Sequence, residues 1–303
     1  VNISPENIII MPGGKPTMFF CILMFGAHNK EIMYPNPGFP IYESLINYTG
    51  AKPVPIKLKE ELNFSFKADE VLERINDQTS LIIINSPGNP TGGVIPRKEI
   101  EKLVIGLEAY PNVTILSDEI YSRLLYGKQK HTSFLEFPSI RSRLIVLNGW
   151  SKTYAMTGWR LGYSVWPNRL LEYANRLCVN NHSCVNTASQ FAGLAALKGS
   201  QNVVDEMLLE LDKRRNFIVN ALNKIPGISC KEPSGAFYVF PNIKNTGLSS
   251  QKAQDDFLEL SGVATIAGTS FGKMGEGFIR FSYANSLENI EEAMVRITKL
   301  LLK

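Results

Sequence analysis

Lys152 and Arg160 stand eight residues apart in GWSKTYAMTGWRLGY, just after an apolar run, RLIVLN. A second apolar run, VTILS, leads into Asp118, with Tyr121 three residues further on. A third, LIIIN, runs into SPGNPTGG, where Pro87 and Pro90 constrain the backbone on either side of Asn89. A rigid turn of this kind aims one amide side chain. Taken singly, each residue has an ordinary use: Asp118 reads as a helix N-cap and Lys152 as a solvated charge. Together they put an amide, a carboxylate, a phenol, an amine and a guanidinium after successive strands. That is the edge at which an open α/β sheet binds its ligands.

The elements that must position these groups follow from the pattern of apolar residues. NIIIM before Gly13 and Gly14, LIIIN, VTILS and RLIVLN are continuous β-branched runs, which suit strands of a sheet covered on both faces. Helical patterns lie between them: Pro96 opens one, with Ile100, Leu103, Val104 and Leu107 on one face. Strands alternating with helices predict an α/β fold with a mostly parallel sheet sandwiched by helices. After about residue 200 the texture changes. NVVDEMLLELDKRRNFIVNALNKI reads as one long amphipathic helix, followed by strand-like GAFYVF, apolar VATIA, strand-like GFIRFSYA and a last helix capped by Ser286. The expected division is a large α/β domain over 1–205 and a smaller α+β domain over 206–303, entered through that helix.

Composition narrows the classes. The 303 residues are 44% apolar and carry a net charge of +4, with basic and acidic residues interleaved rather than gathered. This argues against a nucleic-acid partner. No apolar run reaches the roughly 18 residues that a membrane span requires, and the chain reads as soluble and cytoplasmic. Cys21, Cys178, Cys184 and Cys230, with His28, His131 and His182, show no spacing that would bind a metal.

Four motifs in this order, SPGNPTGG, SDEIYSRLLY, NGWSKTYAMTGWRLGY and GFIRFSYANS, resemble the class I and II aminotransferases, enzymes of pyridoxal-phosphate fold type I. The likeness runs from about residue 8 to the carboxyl terminus. It implies pyridoxal 5'-phosphate as cofactor, and an amino acid and a 2-oxo acid as substrates in a ping-pong exchange of the amino group. The family's amino-terminal segment, which supplies part of the small domain and a tyrosine for the neighbouring subunit, finds no counterpart in these residues.

The resemblance assigns roles residue by residue. Lys152 is similar to the lysine that links covalently to the cofactor and then shuttles a proton. Both tasks need an uncharged amine, so neighbouring positive charge and burial are expected to lower its pKa. Asp118 matches the partner of the pyridine nitrogen, and Asn89 and Tyr121 match the groups that hydrogen-bond the phenolic oxygen. Gly13, Gly14 and Lys15 before an apolar helix imply a phosphate cradle, with Arg160 as a bidentate clamp and Ser151 adding a hydroxyl. Phe39, in NPGF, is expected to stack on the ring. Arg280 is expected to pair with the substrate α-carboxylate, with movement of the small domain carrying it toward the cofactor. The same likeness implies cis bonds at Asn36-Pro37 and Asn89-Pro90, and a homodimer with residues 175–190 near its boundary. Two alternatives share these residues: a pyridoxal-phosphate lyase, either a carbon–sulfur lyase or one like aminocyclopropane-carboxylate synthase, and a regulator that senses the cofactor.

Overall fold

The computed structural model describes residues 1–302, and among these the strands form two sheets. The larger contains β1 (Ile8–Met11), β2 (Glu31–Asn36), β3 (Lys52–Lys57), β4 (Thr79–Asn85), β5 (Thr114–Asp118), β6 (Leu144–Gly149) and β7 (Gly162–Val165). Their spatial order is β1-β7-β6-β5-β4-β2-β3. The pairs β2–β3, β2–β4, β4–β5 and β5–β6 are parallel, and β7 runs antiparallel to both of its neighbours. The mostly parallel sheet expected from the sequence is present.

Both faces of this sheet are covered, which is why its central strands are apolar without interruption. Ile82, Ile84, Ile115 and Val146 enter one buried cluster. Leu81, Ile83, Leu116, Ile145 and Leu147, alternating with them along the same strands, enter the other. The four apolar runs singled out above are β1, β4, β5 and β6. β2 and β3 were not singled out, and their prolines explain why. Pro53 and Pro55 lie on β3, an edge strand, where a missing N–H is tolerated. Pro35 lies on β2 beyond Met33, the last residue of that strand in register with β4.

The smaller sheet is antiparallel, with β8 (Tyr238–Val239), β9 (Ile266–Ala267) and β10 (Ile279–Ser282) in the order β8-β10-β9. Its strands are shorter than the sequence runs suggest. Ahead of β8 the chain is recruited elsewhere: Ser234 N and Gly235 N both donate to Gly92 O at 3.0 Å, and Ala236 N donates to Leu124 O at 2.9 Å. The close approach requires glycine at position 92, where φ is +66° and a Cβ would lie 2.4 Å from Pro233 Cβ. The amphipathic helix spans Asn202–Leu222 and ends sooner than expected. Ile225 precedes Pro226, and the residue before a proline is disfavoured in the α region. The last helix, Leu287–Leu301, begins as expected, with the Ser286 side chain accepting from Asn289 N at 3.2 Å.

Candidate active site

The parallel register brings the carboxyl ends of β4, β5 and β6 side by side. Asn85 is opposite Asp118, and Asp118 is opposite Leu147, five residues before Lys152. A pocket of about 250 Å³ opens over these ends. Gly14, Lys15, Phe39, Asn89, Asp118, Tyr121, Ser151, Lys152, Arg160 and Arg280 all line it, residues that span 14 to 280 of the chain. Gly13 stands one residue before the lining, beneath Arg160. Every residue expected at the site is therefore gathered at one place.

The floor of the pocket is a buried carboxylate. Asp118 is 2% exposed, and its Oδ2 accepts from the Tyr42 hydroxyl at 2.6 Å while its Oδ1 accepts from Ile120 N at 3.2 Å. Burial pushes the Asp118 carboxyl up to about 6, against these two hydrogen bonds, which favour the ionised form. A cation facing it would restore the charge. Lys152 sits above, with Nζ 5.3 Å from the Phe237 ring centroid and 5.8 Å from that of Tyr121. Burial holds its amine below the ordinary lysine value, and Arg160 and Arg280 lower it further. Both causes anticipated from the sequence act in the same direction.

The mouth of the pocket is shaped for an anion. Gly13 has a φ of +88°, and a Cβ there would lie 2.4 Å from Arg160 Nη2. Only glycine lets the guanidinium rest on the backbone just before the helix Lys15–Phe25. Free N–H groups at that helix start and an adjacent arginine make an electropositive cradle. Arg160 Nη1 donates to Thr157 O at 2.8 Å, and the Ser151 side chain is buried nearby.

The Asn89 turn is fixed from within. Asn89 N donates to Asn85 Oδ1 at 3.0 Å, and Asn85 Nδ2 donates to Asp118 O at 3.2 Å, which ties the turn to β5. Asn36-Pro37 and Asn89-Pro90 are cis as expected, and Ser86-Pro87, which was not singled out, is cis too. Arg280 Nη1 donates to Asn89 Oδ1 at 3.1 Å, so the guanidinium lines the pocket. Its guanidinium carbon lies over two rings, 4.6 Å from the centroid of Tyr238 and 4.8 Å from that of Phe271. Arg280 Nε is buried with no hydrogen-bond partner. A buried, unpaired N–H of a cation is costly and marks a place for an acceptor.

Two residues of the site escaped the sequence reading. Tyr42 follows Phe39 by three residues in PGFPIY, and only the tertiary fold shows its hydroxyl reaching Asp118. Tyr238 lies in GAFYVF, read above as a strand; its hydroxyl is 3.0 Å from that of Tyr121. The alternation within that run, which puts Tyr238 on the opposite side from Val239, is the one signal that points to it.

The chain matches the family model described as aminotransferase class I and II over residues 1–297. It is 41% identical to the aspartate aminotransferase of Pyrococcus horikoshii, over 99% of this chain and 77% of that protein. It is 36% identical to aromatic-amino-acid aminotransferase 2 of Thermococcus litoralis, over 99% of this chain and 78% of that one. Among solved structures, an aromatic aminotransferase from Pyrococcus horikoshii superposes with a TM-score of 0.95 at 35% identity, over 100% of this chain and 81% of the other. The fold, the four motifs and these matches together place the chain in the class I and II aminotransferase family.

Proposed function

We propose that this protein is a pyridoxal-phosphate-dependent aminotransferase that moves an amino group between an amino acid and a 2-oxo acid in two half-reactions. The observation that carries the reading is the convergence, in one pocket, of a lysine, a buried carboxylate, the amide of Asn89, the phenol of Tyr121 and the two arginines Arg160 and Arg280. The residues fit the cofactor on their own chemistry: the glycine-lined, arginine-capped cradle suits a phosphate, and the buried Asp118 suits a cationic ring nitrogen. When bound, pyridoxal phosphate supplies the carbonyl that takes up the amino group and a ring that delocalises the electron pair left at Cα.

The chain's own groups divide the work. Gly14, Lys15, Ser151 and Arg160 would hold the phosphate; the expected Gly13 amide is instead bonded to Met11 O at 2.8 Å, and Gly13 serves by leaving room for Arg160. Asp118 keeps a proton on the ring nitrogen, with Tyr42 orienting its carboxylate. Asn89 and Tyr121 donate to the phenolic oxygen, and Phe39 packs on the ring face. Burial and its arginine neighbours lower the pKa of Lys152 and so favour its uncharged amine, which would hold the cofactor carbonyl covalently with release of water and, once displaced by the substrate amine, would take the proton from the substrate Cα. Arg280 takes the α-carboxylate, its free Nε–H giving the second point of a two-point grip.

The test is a panel of amino donors, aspartate and the aromatic amino acids included, against 2-oxoglutarate. Glutamate appearing in step with a new 2-oxo acid is the expected result. Pyruvate and ammonia in place of that pair would mean the lyase, a reading that the names of the relatives do not favour.

We read 1–205 as the large domain and 206–303 as the small one, the protein as cytoplasmic, and the active form as a homodimer. No helix among the described residues is long and apolar enough to cross a membrane. A second copy is supported by the helix Thr187–Lys198, which presents Phe191, Leu194 and Leu197 at 68%, 44% and 55% exposure along one stripe. Residues 175–190 lead directly into that stripe. Sedimentation is expected to give a dimer at micromolar concentration, and Phe191→Glu together with Leu194→Glu a monomer with little activity. A wild-type monomer with full activity would refute the assembly.

A further inference from the structure

Tyr238 touches two working groups of the site at once and is claimed by neither. It is 7% exposed and lines the pocket. Its hydroxyl lies 3.0 Å from the Tyr121 hydroxyl, and the Arg280 guanidinium lies 4.6 Å from its ring centroid. Its position is set from both sheets. β8 pairs with β10, which carries Arg280, while the residues just before β8 are bonded to Gly92 and Leu124 beside the larger sheet.

We propose that Tyr238 is a positioning residue for both ends of the reaction: its hydroxyl directs the single proton of Tyr121, and its ring fixes the plane of Arg280. The inference rests on the roles given above to Tyr121 and Arg280. Tyr121 has one O–H proton. With Tyr238 as its only hydroxyl partner among the described residues, that proton can point toward Tyr238 or toward the pocket. If Tyr121 donates to the phenolic oxygen, the bond between the two tyrosines must run from Tyr238 to Tyr121. Accepting that bond polarises the Tyr121 hydroxyl and makes it a stronger donor. At the other end, the guanidinium lies over the rings of both Tyr238 and Phe271. Attraction to the ring faces leaves the edge of the fork, with its unpartnered Nε, free for a carboxylate.

The two functions separate by substitution in the cofactor-loaded dimer. Tyr238→Phe keeps the ring and removes the hydroxyl, whereas Tyr238→Leu removes both. The readouts are the pH midpoint of the bound cofactor's absorbance change, and KM and kcat for one amino donor. For Tyr238→Phe the midpoint is expected to rise by about 0.5 to 1 pH unit, as the loss of one hydrogen bond allows, with KM unchanged. The direction follows because a phenolic oxygen that receives a weaker hydrogen bond holds the proton on the Lys152 nitrogen more tightly. For Tyr238→Leu the same rise is expected together with a KM raised about tenfold. An unmoved midpoint in Tyr238→Phe, or equal KM increases in both variants, would overturn the proposal while wild-type transamination left the activity standing. A wild-type protein that binds the cofactor but does not transaminate would overturn both.

Discussion

Lys152→Ala is expected to lower transamination by about 10,000-fold or more while leaving the chain folded. Proton transfer by a placed side chain is worth up to about that factor, and the covalent route is lost as well. The fold should tolerate the change, because Lys152 forms no salt bridge among the described residues, and burial with the repulsion of Arg160 and Arg280 outweighs the attraction of Asp118. Burial and the two arginines disfavour the ammonium form, so truncation relieves a cost at the same time as it removes the reactive amine. Borohydride reduction of the loaded wild-type enzyme, followed by peptide mapping, should place the pyridoxyl group on Lys152. A label on Lys15, the other pocket lysine, would end the assignment. Alanine with near-normal turnover would have the same consequence.

What the sequence made legible and what it did not divide along a physical line. Asn89, Asp118 and Lys152 were readable because each lies at, or within a few residues of, the carboxyl end of a strand with an uninterrupted apolar run, and a parallel sheet aligns such ends by its register alone. Local pattern and tertiary position coincide there. Arg280 is different: it meets Asn89 across 191 residues, and nothing in its own neighbourhood states that distance. Its role came through resemblance. So did the expectation that movement of the small domain could carry it onto the carboxylate; in the structure the guanidinium rests on Asn89. Tyr42 and Tyr238 were missed because a tyrosine in an apolar stretch looks like core, and both are indeed buried. Only the ends of their hydroxyls, meeting Asp118 and Tyr121, distinguish them from packing. β3 was missed because two prolines argue against a strand wherever its edge position is unknown.

Asp118→Asn is expected to stabilise the cofactor-free chain at neutral pH and to cripple the enzyme, and the opposite signs distinguish a catalytic carboxylate from a structural one. Burial raises this carboxyl from its ordinary 3.8 to about 6. Between about pH 4 and pH 6 the folded chain therefore keeps a proton that the unfolded chain has released. Stability falls as pH rises through that window, by roughly 3 kcal/mol in all, the worth of about two pKa units. Asparagine holds no charge in either state and escapes the loss: its carbonyl can accept from Ile120 N in place of Oδ1, and its amide nitrogen, in place of Oδ2, can donate to a Tyr42 hydroxyl that turns to accept. Thermal melts of the cofactor-free proteins should show the variant above wild type at pH 8 and the two converging toward pH 4. Cofactor reverses the order: wild-type Asp118 gains a cationic partner at the ring nitrogen, so pyridoxal phosphate should raise its melting temperature more than that of the variant. Turnover of the loaded variant should fall at least about 100-fold, the usual cost of removing one preorganised charge from a buried site. An Asp118→Asn protein that melts early at pH 8 yet transaminates normally would return Asp118 to the helix-capping use it has when its motif is read alone.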